Sequence, residues 1–415
     1  MLRAVPDDLE RDARAVPPGY GRLASPRARR RARSRAGRWR RRLLGAFAAV
    51  VVAFLVAAGA GWWYLNYQLD QAHRVHVATG LLGPTKPGAP FNVLLIGSDS
   101  RSFVSNSAEA GAFGSGSVVT GQRSDVIIVA RIVPATNQVY LLSIPRDTYV
   151  DVPGHVQYIS GPNRVNAAFN SGPSLLIETL RKDFGITVAH FAEINFAGFQ
   201  SMVDAVGGIR IDFPYAVEDA YTRLSVQRTG CQLIMGGNAL AYVRSRHLYY
   251  RRDGVWTPDW GSDWSRIRRQ DVFFHALADR VRSELSNLGA MTSLLGAVVR
   301  NLTVDSTMTN AFLIHLALEL RHATSGSIHS EVLPTIPYVT SYGADVLLPA
   351  QPYDRQMIAR FLAIGEPRRA TAGAPPATAG STASSTLAPS TTTTTAPGSS
   401  VVFDRQPEPW NGTPC

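Results

Sequence analysis

The sequence predicts an α/β domain, a mixed central β-sheet flanked by helices on both faces, preceded by one transmembrane helix. Three observations predict it. Apolar runs of strand length alternate with segments of helix length through 88–366, the pattern of a sheet covered by helices. An uncharged apolar run, LLGAFAAVVVAFLVAAGAGWWYL, occupies 43–65. The charge that makes the 415-residue chain basic, +11 in all, sits almost wholly before that run.

Residues 1–42 carry fourteen arginines against Asp7, Asp8, Glu10 and Asp12, which leaves 28 basic and 27 acidic residues in the rest of the chain. A basic total therefore does not imply a nucleic-acid partner. Arg38, Arg40, Arg41 and Arg42 abut the apolar run, and Trp62, Trp63 and Tyr64 mark its far end. As a helix the run spans roughly 34 Å, enough for the hydrocarbon core of a bilayer. The positive-inside rule then makes 1–42 a cytoplasmic tail and puts everything after about residue 66 outside the cell. Ala58-Gly59-Ala60 resembles a signal-cleavage site, but the run is longer than a usual signal core. Arginines touching a span read as a topology signal and an anionic-lipid contact before they read as a nucleic-acid arm.

After a linker at 66–87, the body opens with strand-length apolar runs at 92–96, 125–133 and 139–144, the last two joined by a hairpin-like turn at 134–137. Residues 173–184 and 196–206 read as helices, stopped by Gly185 and by Gly207-Gly208. Further helices are expected at about 236–245, 263–285, 288–302, 309–321 and 352–364. An apolar fraction of 45% is enough for a core over this stretch. The Ser/Thr/Ala/Pro-rich segment 367–415 is expected to be a disordered tail, because most of it lacks the large apolar side chains that could order it. Cys231 and Cys415 exclude a cysteine-based zinc site. Outside the membrane they could form a disulfide or stay as two thiols, and spacing does not decide.

Three short polar segments punctuate the strands: Gly97–Arg101 (GSDSR), Arg123-Ser124-Asp125 and Pro145-Arg146-Asp147. Loops at strand ends are where α/β folds bind ligands, although such residues also make ordinary turns. Residues 236–285 say more. If the helix ends near Val243, Arg244 and Arg246 stand in extended chain and share a face. At 100° per residue, Asp263, Arg266 and Gln270 open the same stripe that Phe274, Leu277 and Val281 continue, whereas Arg268 and Arg269 lie off it. Polar groups on such a stripe sit at a wet rim or line a polar cavity, since burying them without partners is costly. Arginine forks pair two phosphate oxygens at once and keep their charge, so Arg244, Arg246 and Arg266 suit a pyrophosphate. Asp99 and Asp125 suit magnesium, which takes one or two carboxylates plus phosphate oxygens. Forty of the 42 cations are arginine, which discounts any single one.

In this order, FNVLLIGSDSR (91–101), RSDVIIVARI (123–132), LLSIPRD (141–147), RVNAAFN (164–170), VDAVGGIRIDFP (203–214), ALAYVRSRH (239–247) and DWSRIRRQ (263–270) resemble the LytR–CpsA–Psr family of cell-wall proteins. The resemblance is strong over about 88–285 and looser to about 365. It implies an extracytoplasmic, Mg2+-dependent phosphotransferase, with 88–366 as its catalytic domain. Such an enzyme moves a glycopolymer from a polyprenyl-pyrophosphate carrier to peptidoglycan. Residue by residue it puts the metal on Asp99 and Asp125 and catalysis on Arg123, Arg146, Asp263 and Arg266. Substrate binding falls on Arg146, Arg164, Arg244, Arg246, Arg266 and Gln270. Relatives often carry lysine where Arg164 stands, and a Gly/Ser-rich insertion (102–122) separates the two aspartates. The same residues could serve a polyprenyl-pyrophosphate pyrophosphatase; a non-catalytic membrane-bound regulator or wall-binding module is the other alternative.

Overall fold

The computed structural model describes residues 47, 50–98, 124–154, 161–284, 288–320, 323–366 and 411–415. The expected cytoplasmic tail, the insertion 102–122, Asp99 and Arg123 lie outside them. The chain divides into two compact units, 1–65 and 66–415. Of the first unit, the described part is helical. It belongs to the helix Val50–Leu69, long and apolar enough to cross a membrane and exposed from Val50 to Tyr64. That helix runs four residues past the apolar run, because Asn66, Tyr67 and Gln68 are polar without breaking helical geometry.

The second unit is built on a seven-stranded mixed sheet. In spatial order its strands are His73–Val75, Leu302–Asp305, His190–Asn195, Phe91–Ser98, Ser124–Val133, Gln138–Ser143 and Ile328–Val332. The middle is a meander: Phe91–Ser98, Ser124–Val133 and Gln138–Ser143 pair antiparallel, and Pro134–Thr136 with left-handed Asn137 makes the turn between the last two. Parallel partners flank it, His190–Asn195 on one side and Ile328–Val332 on the other. The stretch 66–87, expected as a linker, is instead part of the fold. His73–Val75 supplies an edge strand and Val77 enters the core; three residues are too few to show as a strand in the sequence.

Alternation along the strands sends side chains to opposite faces. Leu94, Ile96, Ile127, Val129 and Leu142 face a core closed by the helices Val165–Phe169, Pro173–Phe184 and Tyr353–Ala363. Ile128, Ala130 and Leu141 face the other way, with Phe274 of the long helix Ser262–Glu284 against them. Each fully buried Leu or Ile contributes about 1.5–3 kcal/mol. Helices therefore cover both faces, as the alternation of sequence patterns requires.

A second core forms beside the sheet. Val203, Ile209, Ile211, Phe213, Leu240, Tyr242 and Phe273 bring together the helices Phe196–Ala205 and Gly236–Arg244, the long helix, and two small sheets. One of these pairs Ile209–Phe213 with Gly230–Ile234 and, unexpectedly, with Thr413–Pro414. So the last five residues are packed structure, whereas the expectation was disorder for the whole tail; 367–410 lie outside the described residues. The Cys231–Cys415 disulfide is formed, with a Cα–Cα separation of 6.0 Å, which decides the question that spacing left open.

Packing within this second core is tight where Gly236 starts its helix. A Cβ there would lie 2.4 Å from the Gln200 carbonyl oxygen, while one on Gly237 would meet nothing. Gly236→Val should therefore destabilise the chain by about 1–3 kcal/mol, the cost of overpacking. Gly237→Ala should be neutral or slightly stabilising. Denaturant unfolding of the detergent-solubilised protein reads both, and equal midpoints would refute the close approach.

Candidate functional site

A cavity of about 430 Å³ lies between the sheet face and the second core. Asp125, Arg146, Arg244, Arg246, Arg266 and Gln270 line it, together with apolar side chains that include Leu95, Ile128, Leu240, Phe273, Phe274, Leu277 and Val298. These six are among the ten residues that the sequence nominated. Arg164 is not in the lining. It donates to the Asp345 carbonyl at 2.6 Å and stands 3.5 Å from Asp147, bracing the hairpin Thr335–Val339/Asp345–Pro349 from outside. Asp263 begins the long helix in backbone, but its side chain, like Asp99 and Arg123, falls outside the described residues.

Each polar wall residue is placed by identifiable local structure. Asp125 stands at the start of the strand Ser124–Val133, and Pro145 ends the neighbouring run, so Arg146 comes alongside and donates from Nη1 to Asp125 Oδ1 at 2.5 Å. Arg146 Nε also lies 3.5 Å from Asp147. The helix Gly236–Arg244 stops with Ser245 in extended geometry (φ −59°, ψ 128°), so Arg244 and Arg246 both reach the cavity. Arg244 lies over the Phe196 ring, 4.2 Å from its centre, a contact that holds a guanidinium without neutralising it. Arg266 is buried to 4% exposure, and Gln270 donates to the Val243 carbonyl at 3.2 Å, tying the long helix to the end of the arginine-bearing one.

Two buried residues that the sequence did not single out hold this turn. Asp219 accepts from the Ser245 hydroxyl at 2.6 Å, from the backbone N–H groups of Arg246 and His247, and from those of Tyr221 and Thr222. Arg269 donates to the Ser245 carbonyl at 2.6 Å, to Asp259 at 3.0 Å and to Asn411 at 2.7 Å, and is fully buried. The helical stripe put Arg269 away from the apolar face. Its own face is covered as well, by Asp259 and by the C-terminal segment. No local signal in the sequence announces Asp219; an acid buried by five donors is visible only once the fold is closed. A third missed group is Glu193 on the cavity wall, where burial pushes its carboxyl up and the Ser98 hydroxyl opposes the shift.

The site thus joins several arginines and a carboxylate to an apolar wall within an α/β domain. The LytR_cpsA_psr family profile matches residues 66–357, and the chain belongs to that family. It is 35% identical over 246 residues to the "Probable cell wall biosynthesis protein LcpB" of Corynebacterium glutamicum, a match covering 59% of this chain and 54% of that protein. It is 27% identical over 282 residues to the polyisoprenyl-teichoic acid–peptidoglycan teichoic acid transferase TagU of Enterococcus faecalis, covering 67% and 82%. Among solved structures, a LytR-Csp2A-Psr enzyme from Actinomyces oris superposes with a TM-score of 0.55 at 27% identity, over 70% of this chain and 95% of that one. The chain thus spans about half the length of LcpB and most of TagU.

Burial alone would raise the Asp219 carboxyl, but the hydrogen bonds from Ser245, His247, Thr222 and Tyr221 outweigh it and hold it below the usual carboxylate range. Its folded pKa is thus lower than its unfolded one. The stability it contributes is present above the unfolded value of about 3.9 and lost as pH falls through the folded value. Asp219→Asn should cost roughly 2–3 kcal/mol at pH 7, a range set by hydrogen bonds to a charged acceptor. The gap between variant and wild type should close in acid. A gap that stayed constant from pH 7 to pH 3 would rule out a charged Asp219 as the anchor.

Proposed function

We propose that this protein is an extracytoplasmic phosphotransferase that moves a glycopolymer from a polyprenyl-pyrophosphate carrier to peptidoglycan. One observation carries the reading: Arg146, Arg244, Arg246 and Arg266 share a single cavity with Phe273, Phe274, Leu277 and Val298. A ligand that satisfies both halves needs a multiply charged head and a hydrocarbon tail. The relative TagU, whose name records a polyisoprenyl-linked polymer and a peptidoglycan acceptor, supports the same substrate class. The helix Val50–Leu69 supports a single-pass anchor, and the basic tail 1–42 supports an inward N-terminus with the domain outside.

The reaction needs little from the protein except placement and charge. A hydroxyl oxygen of the acceptor attacks the phosphorus that bears the glycan. A new P–O bond forms, the bond to the bridging oxygen breaks, polyprenyl phosphate departs, and the hydroxyl proton is lost to a base. Charge grows on the bridging and non-bridging oxygens, where Arg244, Arg246 and Arg266 offset it. Phe196 beneath Arg244 and the Gln270–Val243 bond fix where those guanidiniums stand.

Asp125 fits a magnesium role by its donor chemistry: a partly exposed carboxylate on the cavity wall, beside the arginines that would face phosphate. Asp99 would be its companion. Bound there, magnesium would neutralise phosphate charge and polarise the phosphorus centre.

Purified full-length protein, a lipid-pyrophosphate-linked glycan and peptidoglycan test the reading. Arg246→Ala and Asp125→Asn should each lower transfer about 10²-fold or more, the usual loss for one preorganised charge at a reacting oxyanion. Omitting magnesium should do the same. Phosphate release without a wall-linked phosphodiester would identify a pyrophosphatase, and wild-type transfer by Arg246→Ala would sink the assignment of the grip.

A further inference from the structure

We propose that the C-terminal segment 411–415 is a positioning element of the arginine site, in which Asn411 sets Arg269, and Arg269 sets the turn carrying Arg244 and Arg246. The proposal rests on the reading of that turn as the pyrophosphate grip, and it concerns residues that contact no substrate themselves.

Asn411 is completely buried. Its side-chain oxygen accepts from Arg269 Nη1 at 2.7 Å, and its backbone carbonyl accepts from the Tyr242 hydroxyl. Arg269 is a fully buried cation whose other bonds run to Asp259 and to the Ser245 carbonyl. Its Nη1 and Nη2 donors are met while Nε has no hydrogen-bond partner, so its direction is set by the bonds at the two Nη groups. Asn411 and Asp259 both accept from Nη1, Asn411 at the shorter distance. Without it, Arg269 keeps Asp259 but gains a void on one side, and the Ser245 carbonyl loses a fixed donor. Asp219 would still hold the Ser245 hydroxyl, so the turn would persist with one anchor in place of two. The two arginines that flank Ser245 would then lose their common aim.

The disulfide explains how five residues can serve this purpose. Thr413 and Pro414 pair with Asp212 and Ile211, and Cys415 N–H donates to the Arg210 carbonyl at 3.4 Å. Gly412 makes the turn between Asn411 and that strand at φ +82°, with a built Cβ only 2.8 Å from Ile211. Two paired residues are a weak hold for a segment that must order its whole backbone. The bond to Cys231, on the next strand of the same small sheet, keeps the segment beside its site. Asn411 Nδ2 makes no hydrogen bond, so the position uses the acceptor alone. Aspartate should therefore replace asparagine where leucine cannot.

The test uses the full-length protein in detergent, with geranyl pyrophosphate as probe. Four forms are compared: wild type, Asn411→Leu, Asn411→Asp and Cys415→Ser, with Thr413→Ala as a control. Thermal midpoint, probe affinity, KM and kcat for transfer, and amide hydrogen exchange at Arg246 and His247 are read for each. Asn411→Leu and Cys415→Ser should weaken probe binding about tenfold, the factor one hydrogen bond to a charged group commands. Both should speed exchange at the two amides, and Asn411→Asp should restore much of each. Folded Asn411→Leu with wild-type affinity and wild-type exchange would overturn the proposal. If Asn411→Leu does not fold, Cys415→Ser and mildly reduced wild type carry the same comparison. If wild type itself fails to bind the probe, the pyrophosphate reading falls, while exchange at Arg246 and His247 still decides whether Asn411 positions the turn.

Discussion

Ser245 is held from both ends by buried charges of opposite sign. Asp219 takes its hydroxyl, and Arg269 gives to its carbonyl. Serine suits the position because it offers a donor on a short side chain and a carbonyl on the backbone within one residue. The charges can be buried because each is compensated, Asp219 by backbone N–H groups and Arg269 by Asp259 and Asn411. The arginines on either side of Ser245 are long, flexible side chains. Their bases, however, are as fixed as anything in the fold.

The long helix Ser262–Glu284 carries that constraint to the rest of the molecule. Ser265 bonds Asp259, Arg269 anchors the turn, and Gln270 reaches the neighbouring helix. Further along, Phe273 enters the second core and Phe274 packs against the main sheet. One helix thus belongs to the second core and covers the sheet face turned away from the first, and the cavity lies between that face and the second core. The wall is polar where the first turns of this helix face it and apolar a turn or two later. A gradient of this kind is what an amphiphilic ligand needs, and it arises from one periodic stripe of sequence.

That stripe was legible because helical periodicity brings Arg266, Gln270, Phe274 and Leu277 together without any tertiary information, and the structure puts all four on the cavity wall. The three first strands were legible for a similar reason, as continuous apolar runs buried on both faces. Arg269 lies off that stripe, as the periodicity implies, but nothing local shows that its own side is covered, because part of the cover is Asn411, 142 residues away. Asp219 was invisible because its partners are mainly backbone groups, which carry no residue signature. Short strands such as Ala216–Asp219 and Tyr249–Arg252 were missed too, since four residues show little period of their own. Arg164, a family-matched arginine, has its described contacts with a hairpin and Asp147 and stands outside the cavity lining.

The arginines also divide by what their charge is doing, which a composition dominated by arginine could not reveal. Arg269 is matched inside the protein by Asp259. Arg146 stands against Asp125 at the cavity wall and near Asp147, and Arg164 stands against Asp147 outside the lining. Arg244, Arg246 and Arg266 line the cavity from the end of one helix, the turn after it and the long helix. Arg244 rests on an aromatic face, which orients its guanidinium. What sets Arg244 and Arg246 apart from the chain's other arginines is therefore the turn around Ser245, which fixes the backbone from which both reach the cavity.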